Sequence, residues 1–400
     1  MRRSSTREYA AAVRPRYRRA DRATKGRILD EFCAATGYHR VYARRLLSGR
    51  AAPAVGTPRA QGPRPRRYGA EVLALLVACW EVTDGICSKR LAPFLGELLD
   101  RLAACDALPP EATPELRAQV ARMSPATIDR LLAPLRGGRV GRGRGTTKPG
   151  TLLKGQVPIK TFADWDDAVP GFLEIDLVAH CGPTGAGEFV LTLSTVDVAT
   201  GWSTCVAVRN KGQDAICRAV EQLRQGLPVP LRGLDSDNGS EFLNHALLRY
   251  CAEHRITFTR SRPYRKNDTC HVEQKNWSVV RRLVGYARFE WQALAALERL
   301  YSLAADYVNF LQPVLKLADK TRDGPKVRKR YDSARTPYRR LLASGALAPE
   351  QAAALAARSA ALHPVRLKLA LEEAQQHLAG FAVREYSPVR QRKSLEKIFS

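Results

Sequence analysis

A nine-residue stretch, Leu234-Asp235-Ser236-Asp237-Asn238-Gly239-Ser240-Glu241-Phe242, governs the interpretation of the whole chain. Residues 231–234 lead into it as a short apolar strand, and its Asn-Gly pair is one of the strongest turn dipeptides. The stretch therefore predicts a buried strand that ends in a tight polar turn bearing two carboxylates. Mg²⁺ takes only one or two carboxylates from a protein and keeps its other positions for water and phosphate, so this turn is a candidate metal site.

Two further carboxylates come from other parts of the chain. Residues 171–180 form an apolar strand with Asp176 near its middle, where an unpaired buried carboxylate would be costly. Residues 267–276 open an amphipathic helix that carries Glu273, and 35 residues lie between it and Asp237. We expect Asp176, Asp237 and Glu273 to be the catalytic residues and the metal ligands.

At these residues the chain resembles the retroviral integrase superfamily and the bacterial transposases that share its catalytic core. The family pattern has an Asp on the first strand, Asp-Asn-Gly after the fourth strand, and a Glu about 35 residues further on. That Glu lies on a helix with Asn three residues later, here Glu273 and Asn276. The resemblance covers roughly residues 165–310.

The resemblance implies a ribonuclease-H-like α/β fold in the order β-β-β-α-β-α-β-α, which periodicity alone would give only as mixed α/β. It also implies two Mg²⁺ or Mn²⁺ ions per active site, which activate an attacking oxygen and stabilise a leaving oxygen on phosphorus. Water as the nucleophile gives strand cleavage, and a freed 3′-hydroxyl gives strand transfer into target DNA.

Three neighbouring acids compete with this assignment. Glu174 lies two residues before Asp176 on the same strand face, Asp235 precedes Asp237, and Asp268 lies in a loop ahead of Glu273. Cys270 and His271 are interpreted as packing at the start of the helix rather than as zinc ligands, because no second Cys/His pair stands at zinc spacing.

Composition points to nucleic acid as the partner. The 400 residues carry 65 Lys and Arg against 39 acids, a formal net charge of +26, and such an excess faces something acidic. There is no apolar run of about 18 residues and no secretory signal, so we expect no membrane partner and a cytoplasmic, nucleoid-associated location in a bacterium. Nine scattered cysteines without a Cys-x-x-Cys pair indicate free thiols.

The N-terminal region is basic, with 18 Lys and Arg against four acids in residues 1–68. Two short apolar stripes around Thr36-Gly37 predict a helix-turn-helix in residues 1–52: Ile28, Leu29 and Phe32 first, then Val41, Tyr42, Leu46 and Leu47. The predicted DNA contacts on its second helix are Arg40, Arg44 and Arg45. A two-helix hairpin with a solvated basic face is the alternative.

The remaining segments complete the predicted organisation. A Pro/Gly/Ala-rich linker at 53–68 precedes a second helical domain at 69–135, either another helix-turn-helix or a plain bundle, with Ser124 capping its last helix. A basic linker at 136–161 leads to the integrase-like core at 162–315, and a basic helical region at 316–400 follows.

The predicted DNA contacts outside the first domain fall into three groups. The linker contributes Arg139, Arg142 and Arg144; the loop before the last catalytic helix contributes Arg262, Arg265 and Lys266; and that helix contributes Lys275, Asn276 and Arg281.

The ends of the chain differ from those of retroviral integrases, since no His-His-Cys-Cys zinc module and no short C-terminal barrel are evident. The pattern is typical of a DDE transposase of a bacterial insertion sequence, acting on element ends and target DNA as a dimer or larger homo-oligomer. A DNA-binding regulator on an inactive core and a nuclease that cleaves without joining are the alternatives.

Overall fold

A computed structural model describes residues 3–49, 68–136, 169–237, 239, 241–261, 270–324 and 326–383. The chain divides into two compact units, residues 1–67 and residues 68–400. The predicted linker contacts Arg139, Arg142 and Arg144, the predicted loop contacts Arg262, Arg265 and Lys266, and the competing acid Asp268 lie outside the described residues.

The first unit contains three helices: α1 Arg3–Arg19, α2 Arg22–Thr36 and α3 Arg40–Ser48. The carboxylate of Asp21 accepts the Thr24 N–H at 3.0 Å and so starts α2. Gly37 ends α2 at φ +70°, a backbone conformation that residues with a side chain rarely adopt. The predicted pair of helices around this glycine is therefore present.

The core of this unit corrects one predicted stripe. Ile28, Leu29, Phe32 and Leu47 are buried as expected. Helix α3 also buries Ala43, whereas Val41 and Tyr42 of the predicted stripe are exposed. Val41 is 50% exposed and Tyr42 is 48% exposed. The periodicity was ambiguous because Ala43 is too small to mark the buried face of so short a helix.

The second unit is built on a five-stranded sheet in the order β3-β2-β1-β4-β5. Its strands are β1 Phe172–Ala179, β2 Leu191–Asp197, β3 Ser203–Val208, β4 Gly233–Ser236 and β5 Thr257–Arg260. The pairs β1–β2 and β2–β3 are antiparallel, whereas β1–β4 and β4–β5 are parallel. This is the arrangement of the ribonuclease-H-like fold, and it confirms the predicted α/β core.

The two faces of β1 have different roles. Leu173, Ile175 and Leu177 pack beneath helices α9 Gln213–Gly226 and α10 His245–Glu253. On the opposite face, Val178 belongs to a second hydrophobic cluster that contains α13 Leu294–Leu311. Because side chains alternate along a strand, Glu174 and Asp176 share this second face. On this side the chain also forms α11 Cys270–Lys275, a π-helical stretch Asn276–Arg281 and α12 Arg282–Val284.

Residues 70–135 do not form a separate domain, which corrects the predicted boundary at 135. Their helices are α4 Ala70–Val82, α5 Ser88–Leu91, α6 Leu95–Ala104, α7 Pro114–Ala121 and α8 Pro125–Leu132. The apolar side chains of these helices share one hydrophobic cluster with α13. The Tyr307 hydroxyl donates to the Val82 carbonyl at 2.7 Å, and the Gln312 side chain donates to the Thr83 carbonyl at 2.8 Å.

The predicted cap of α8 is confirmed, since Ser124 Oγ accepts the Thr127 N–H at 3.3 Å and Pro125 follows it. Ile128 and Leu132 are buried in the shared cluster. This packing favours the plain bundle over a second helix-turn-helix.

The predicted C-terminal helices are present, and a β-hairpin that was not predicted precedes them. Strands β6 Leu317–Asp323 and β7 Lys326–Tyr331 form an antiparallel hairpin before α14 Pro337–Ala343, α15 Pro349–Ala361 and α16 Pro364–Ala379. The hairpin escaped detection because its strands lack the alternating apolar pattern that marks a half-buried strand. Helix α16 packs against α13, which ties the C-terminal helices to the core.

Candidate active site

Asp176 lies near the middle of β1, on the face opposite α9 and α10. Its Oδ1 accepts the Leu177 N–H at 2.8 Å, and its Oδ2 accepts the side-chain amide of Asn276 at 2.6 Å. Burial and the negative charge of Asp237 raise the pKa of Asp176 to about 7, and Glu273 contributes in the same direction. Hydrogen bonds from Leu177 and Asn276 oppose this rise.

Asp237 follows the last residue of β4, the parallel neighbour of β1. Its Oδ1 accepts the Gly239 N–H at 2.9 Å, and burial raises its pKa. A Cβ on Gly239 would lie 2.9 Å from that same oxygen and 2.8 Å from the Glu241 carboxyl carbon. Position 239 therefore needs glycine because the turn folds tightly around the carboxylate.

Glu273 is exposed on α11, at the third carboxylate position that the sequence predicted. Its charge raises the pKa of both Asp176 and Glu174, which places its carboxylate in the electrostatic field of these two groups. The three predicted catalytic acids thus come from a central strand, the end of its parallel neighbour and a helix that crosses the same sheet face.

Glu174 and Asp235, two of the competing acids, have other surroundings. They are opposite each other in the β1–β4 register, and both are 0% exposed. The Thr259 hydroxyl donates to Asp235 Oδ1 at 2.5 Å. Full burial separates this pair from the half-exposed Asp176 and Asp237, so the geometry favours the latter two as the acids that meet a substrate.

Glu174 holds the beginning of α11. Its Oε2 accepts the N–H groups of His271 and Val272, each at 2.9 Å, and thereby satisfies two of the donors that a helix start leaves unpaired. Burial raises the pKa of Glu174 to about 8, and the charges of Asp235 and Glu273 add to the effect. No local sequence pattern signals this role, because the contact joins residues almost a hundred positions apart.

The carboxylate oxygens of these acids are the kind of ligand that a hard divalent cation such as Mg²⁺ prefers. Asp176 and Asp237 are half-buried acids of raised pKa, and a cation between them would relieve the repulsion that raises the pKa of Asp176. Across the described residues, however, no three His, Cys, Asp or Glu side chains already form a metal-ligating group. The residues that would hold an ion are therefore Asp176, Asp237 and Glu273, with the last one coming from an exposed helix position.

Lys275 corrects one predicted DNA contact. It is only 7% exposed, and burial, together with the charge of Arg90, lowers its pKa to about 7. A side chain in this position is inside the unit and cannot lie along a duplex. Residues two apart on a helix point to nearly opposite sides, so Lys275 is buried where Glu273 is exposed.

The other two predicted contacts on this helix make internal hydrogen bonds. Asn276 donates to Asp176, as described above. Arg281 is half-buried, and its guanidinium donates to the carbonyls of Ala179 at 3.1 Å and Gly285 at 3.3 Å. Asn276 therefore orients the Asp176 carboxylate, and Arg281 ties the helix to the end of β1.

Two further observations bear on the predicted site residues. Arg40, Arg44 and Arg45 are exposed on α3, as a DNA contact requires. Lys211 was missed: its positive charge acts on Asp237 and opposes the rise of that carboxyl's pKa, although no sequence motif links the two positions.

The cysteine and membrane expectations can be compared with the described residues. The side chains of eight of the nine cysteines are described, and all eight are free thiols. Within that part of the chain no helix is both long and apolar enough to cross a membrane.

Most of this chain is similar to a bacterial protein. The y4rM protein of Sinorhizobium fredii (strain NBRC 101917 / NGR234), described as uncharacterized, is 44% identical over 325 residues. The match covers 81% of this chain and 91% of that protein. The chain belongs to the y4rM family. Residues 166–266 also match the model of the integrase core domain, so this y4rM-family chain carries a retroviral-integrase-like core. The matched segment includes Asp176 and Asp237 and ends before Glu273.

Solved integrase structures are similar to part of the y4rM-family chain. The catalytic core of BIV integrase is 21% identical and covers 44% of this chain and 95% of its own, with a TM-score of 0.30. The HTLV-2 integrase core in complex with magnesium is 18% identical; the match covers 36% of this chain and 91% of that core, with a TM-score of 0.28. A chain of a simian T-cell lymphotropic virus intasome is 14% identical; the match covers 50% of this chain and 65% of that chain, with a TM-score of 0.29.

Proposed function

We propose that this protein is a DNA transposase of a bacterial insertion sequence. It would bind the ends of the element, cleave DNA strands and join their 3′-hydroxyl ends to target DNA. The observation that carries the proposal is that Asp237 and Glu273 both raise the pKa of Asp176, and that Asp176 and Asp237 lie in the segment that matches an integrase core domain. The presence of all three acids speaks against a regulator built on a decayed core.

Each acid would have a distinct role in holding the reacting groups. Asp176 is oriented by the Asn276 amide and Asp237 by the Gly239 N–H, so both carboxylates keep a fixed direction. Glu273 is exposed, so a substrate that lies on this side of the sheet can reach its carboxylate. Two Mg²⁺ or Mn²⁺ ions bound to these acids would activate the attacking oxygen and stabilise the leaving oxygen. The chain itself then needs no covalent nucleophile.

The proposal also covers how the protein would attract DNA and how many copies would act together. The net charge of +26 supplies the sequence-independent attraction to phosphates, and the exposed arginines of α3 supply a surface that can enter a groove. Joining two element ends needs two active sites, so the protein would act as a dimer or larger homo-oligomer. A DNA substrate in a bacterium places this action in the cytoplasm, at the nucleoid.

The test uses the full chain, Mg²⁺ or Mn²⁺, and a labelled duplex that carries the ends of the element flanking the gene. Wild type is compared with Asp237→Asn, with Asp235→Asn, and with Asp214→Asn as a surface control from the exposed start of α9. We expect metal-dependent nicking by wild type and D214N, and a loss of more than about 100-fold in D237N.

Other outcomes separate the alternatives. DNA binding without strand breakage in any variant would leave the regulator. Cleavage without joined products would indicate a nuclease. Full activity in D237N together with an inactive, folded D235N would move the role to Asp235.

A further inference from the structure

The β6–β7 hairpin is almost entirely exposed. Leu317 is half-buried, and every other residue from 318 to 331 whose burial is described is exposed. In the described part of the chain, no side chain between 318 and 330 forms a hydrogen bond or ion pair with another element; Arg322 donates only to the carbonyl of Gly324 in the turn. A two-stranded hairpin without a hydrophobic face is marginally stable by itself. It therefore needs either a rigid base or a partner.

The base is rigid. The Lys316 N–H donates to Asp332 Oδ1 at 2.8 Å, and the Asp332 N–H donates back to the Lys316 carbonyl at 2.9 Å. Arg340 on α14 holds the same Asp332 carboxylate with two nitrogens, at 2.7 and 3.0 Å. The Lys316 ammonium also donates to the Ala199 carbonyl at 2.9 Å, which fixes the base to the catalytic sheet. The hairpin is thus an arm with an anchored root and an exposed length of ~20 Å.

The two faces of the arm differ in charge. Lys320 is opposite Lys329, and Arg322 is opposite Val327. Cross-strand partners share a face, so these four residues form one face with three cations and no acid. The other face mixes charges, since Asp319 is opposite Arg330 and Thr321 is opposite Arg328, with Asp323 beyond them. We refer to these as the cationic face and the mixed face.

The cationic face is unfavourable unless it meets negative charge. Like charges directly opposite each other on neighbouring strands destabilise a hairpin. Here Lys320 and Lys329 hold such positions with no acid on their face. A protein partner is poorly matched, because interface cores are depleted in lysine and rich in apolar groups, and this face offers only Val327 as an apolar contact among its four residues. A row of phosphates matches it well.

We propose that the β6–β7 hairpin is a DNA-binding arm that lays its cationic face along duplex DNA. A two-stranded ribbon fits the major groove, which is about 12 Å wide. Lys320, Arg322 and Lys329 bind backbone phosphates, while the anchored root keeps the arm at a fixed position beside the catalytic sheet. The inference rests on the proposed function, since it takes DNA as the substrate, but it assigns a contact surface that the catalytic acids do not supply.

The experiment compares two double variants of the full chain that remove the same charge from opposite faces. K320Q/K329Q neutralises the cationic face, and R328Q/R330Q neutralises the mixed face. Affinity for a duplex is measured by fluorescence anisotropy between 50 and 200 mM salt. Each phosphate contact contributes about 0.9 to the slope of log affinity against log salt. Wild type should therefore lose about tenfold more affinity than K320Q/K329Q over this fourfold salt range, whereas R328Q/R330Q should follow wild type.

A second measurement does not depend on charge. A photo-cross-linking amino acid at Val327, on the cationic face, should label DNA, and the same group at Thr321, on the mixed face, should not. Equal salt slopes for the two double variants, or equal labelling from the two positions, would overturn the proposal. So would a change of oligomeric state in K320Q/K329Q with unchanged DNA affinity, because the arm would then bind another copy of the chain.

Failure of the arm and failure of the proposed function have different signatures. If only the arm assignment is wrong, wild type still cleaves DNA with metal and K320Q/K329Q binds it normally. If the proposed function is wrong, wild type shows no metal-dependent cleavage whatever the arm does.

Discussion

Replacing Glu174 by Gln separates two physical effects that the carboxylate combines. Its Oε2 accepts the N–H groups of His271 and Val272 and so fixes the start of the helix that carries Glu273. Its Oε1 is buried and has no hydrogen-bond partner among the described residues. Gln has the same shape and keeps an oxygen that can accept both N–H groups, but it removes the buried acid. Ala removes both the acid and the acceptor.

The size of the effect follows from the raised pKa. Burial moves the pKa of Glu174 from 4.5 to about 8, so the folded state binds the proton more tightly than the unfolded state. The contribution of Glu174 to stability is then most favourable below pH 4.5 and declines as the pH rises towards 8. At pH 7 the difference is of order 3 kcal/mol as an upper limit. E174Q should remove most of this decline, and E174A should be less stable than E174Q by roughly 2–6 kcal/mol, because two buried donors lose their acceptor.

Urea unfolding between pH 5 and pH 8.5, with a chelator present, measures these differences. We expect E174Q to be as stable as wild type at pH 5 and more stable at pH 8.5. E174A should be less stable than E174Q at every pH, and less stable than wild type at pH 5. Equal destabilisation by Gln and Ala, or a wild-type stability that rises with pH in parallel with E174Q, would refute both the capping role and the buried acid.

Three further predictions concern the catalytic helix and α3. K275M should raise the free energy of unfolding by at least about 1 kcal/mol at pH 6 in a urea titration, because it is unfavourable to charge a buried Lys whose pKa is lowered. This penalty fades as the pH rises above 7. A clear drop in DNA affinity would instead restore Lys275 as a DNA contact. N276A should reduce the cleavage rate by roughly 10–100-fold with unchanged DNA affinity, since the amide orients Asp176; a purely structural role would appear as lost stability in circular dichroism melting with an unchanged rate per folded molecule. R44Q/R45Q should lower the salt slope of DNA binding by about 2 because both arginines are exposed on α3, and an unchanged slope in anisotropy titrations would leave α3 as a solvated helix.

The core fold was predictable because its signals are local. The apolar run at 171–180 predicted a strand, and β1 spans Phe172–Ala179. The turn at Asn238-Gly239 and the spacing to Glu273 identified the strand after which the second acid stands. Alternation along β1 then dictates that Asp176 shares a face with Glu174, away from α9 and α10.

The remaining features depend on tertiary packing. Lys275 is buried on a helix that packs against β1 and β2, and the charge of Arg90 on α5 acts on its ammonium, a neighbour that no local pattern reports. The bundle at 70–135 joins the core through contacts such as Tyr307 to Val82, which link positions far apart in the chain. The β6–β7 hairpin has no buried face, so hydrophobic periodicity could not mark it.

The most direct test of the central claim is strand transfer with a pre-cleaved element end. A labelled duplex with a free 3′-hydroxyl is incubated with supercoiled target plasmid, Mg²⁺ and either wild type, D237N or the surface control D214N. The account predicts joined product with wild type and D214N only, and none when the metal is chelated. Joined product of equal yield with folded D237N, or joining that persists in chelator, would contradict the assignment of Asp176, Asp237 and Glu273 as the metal-dependent catalytic centre.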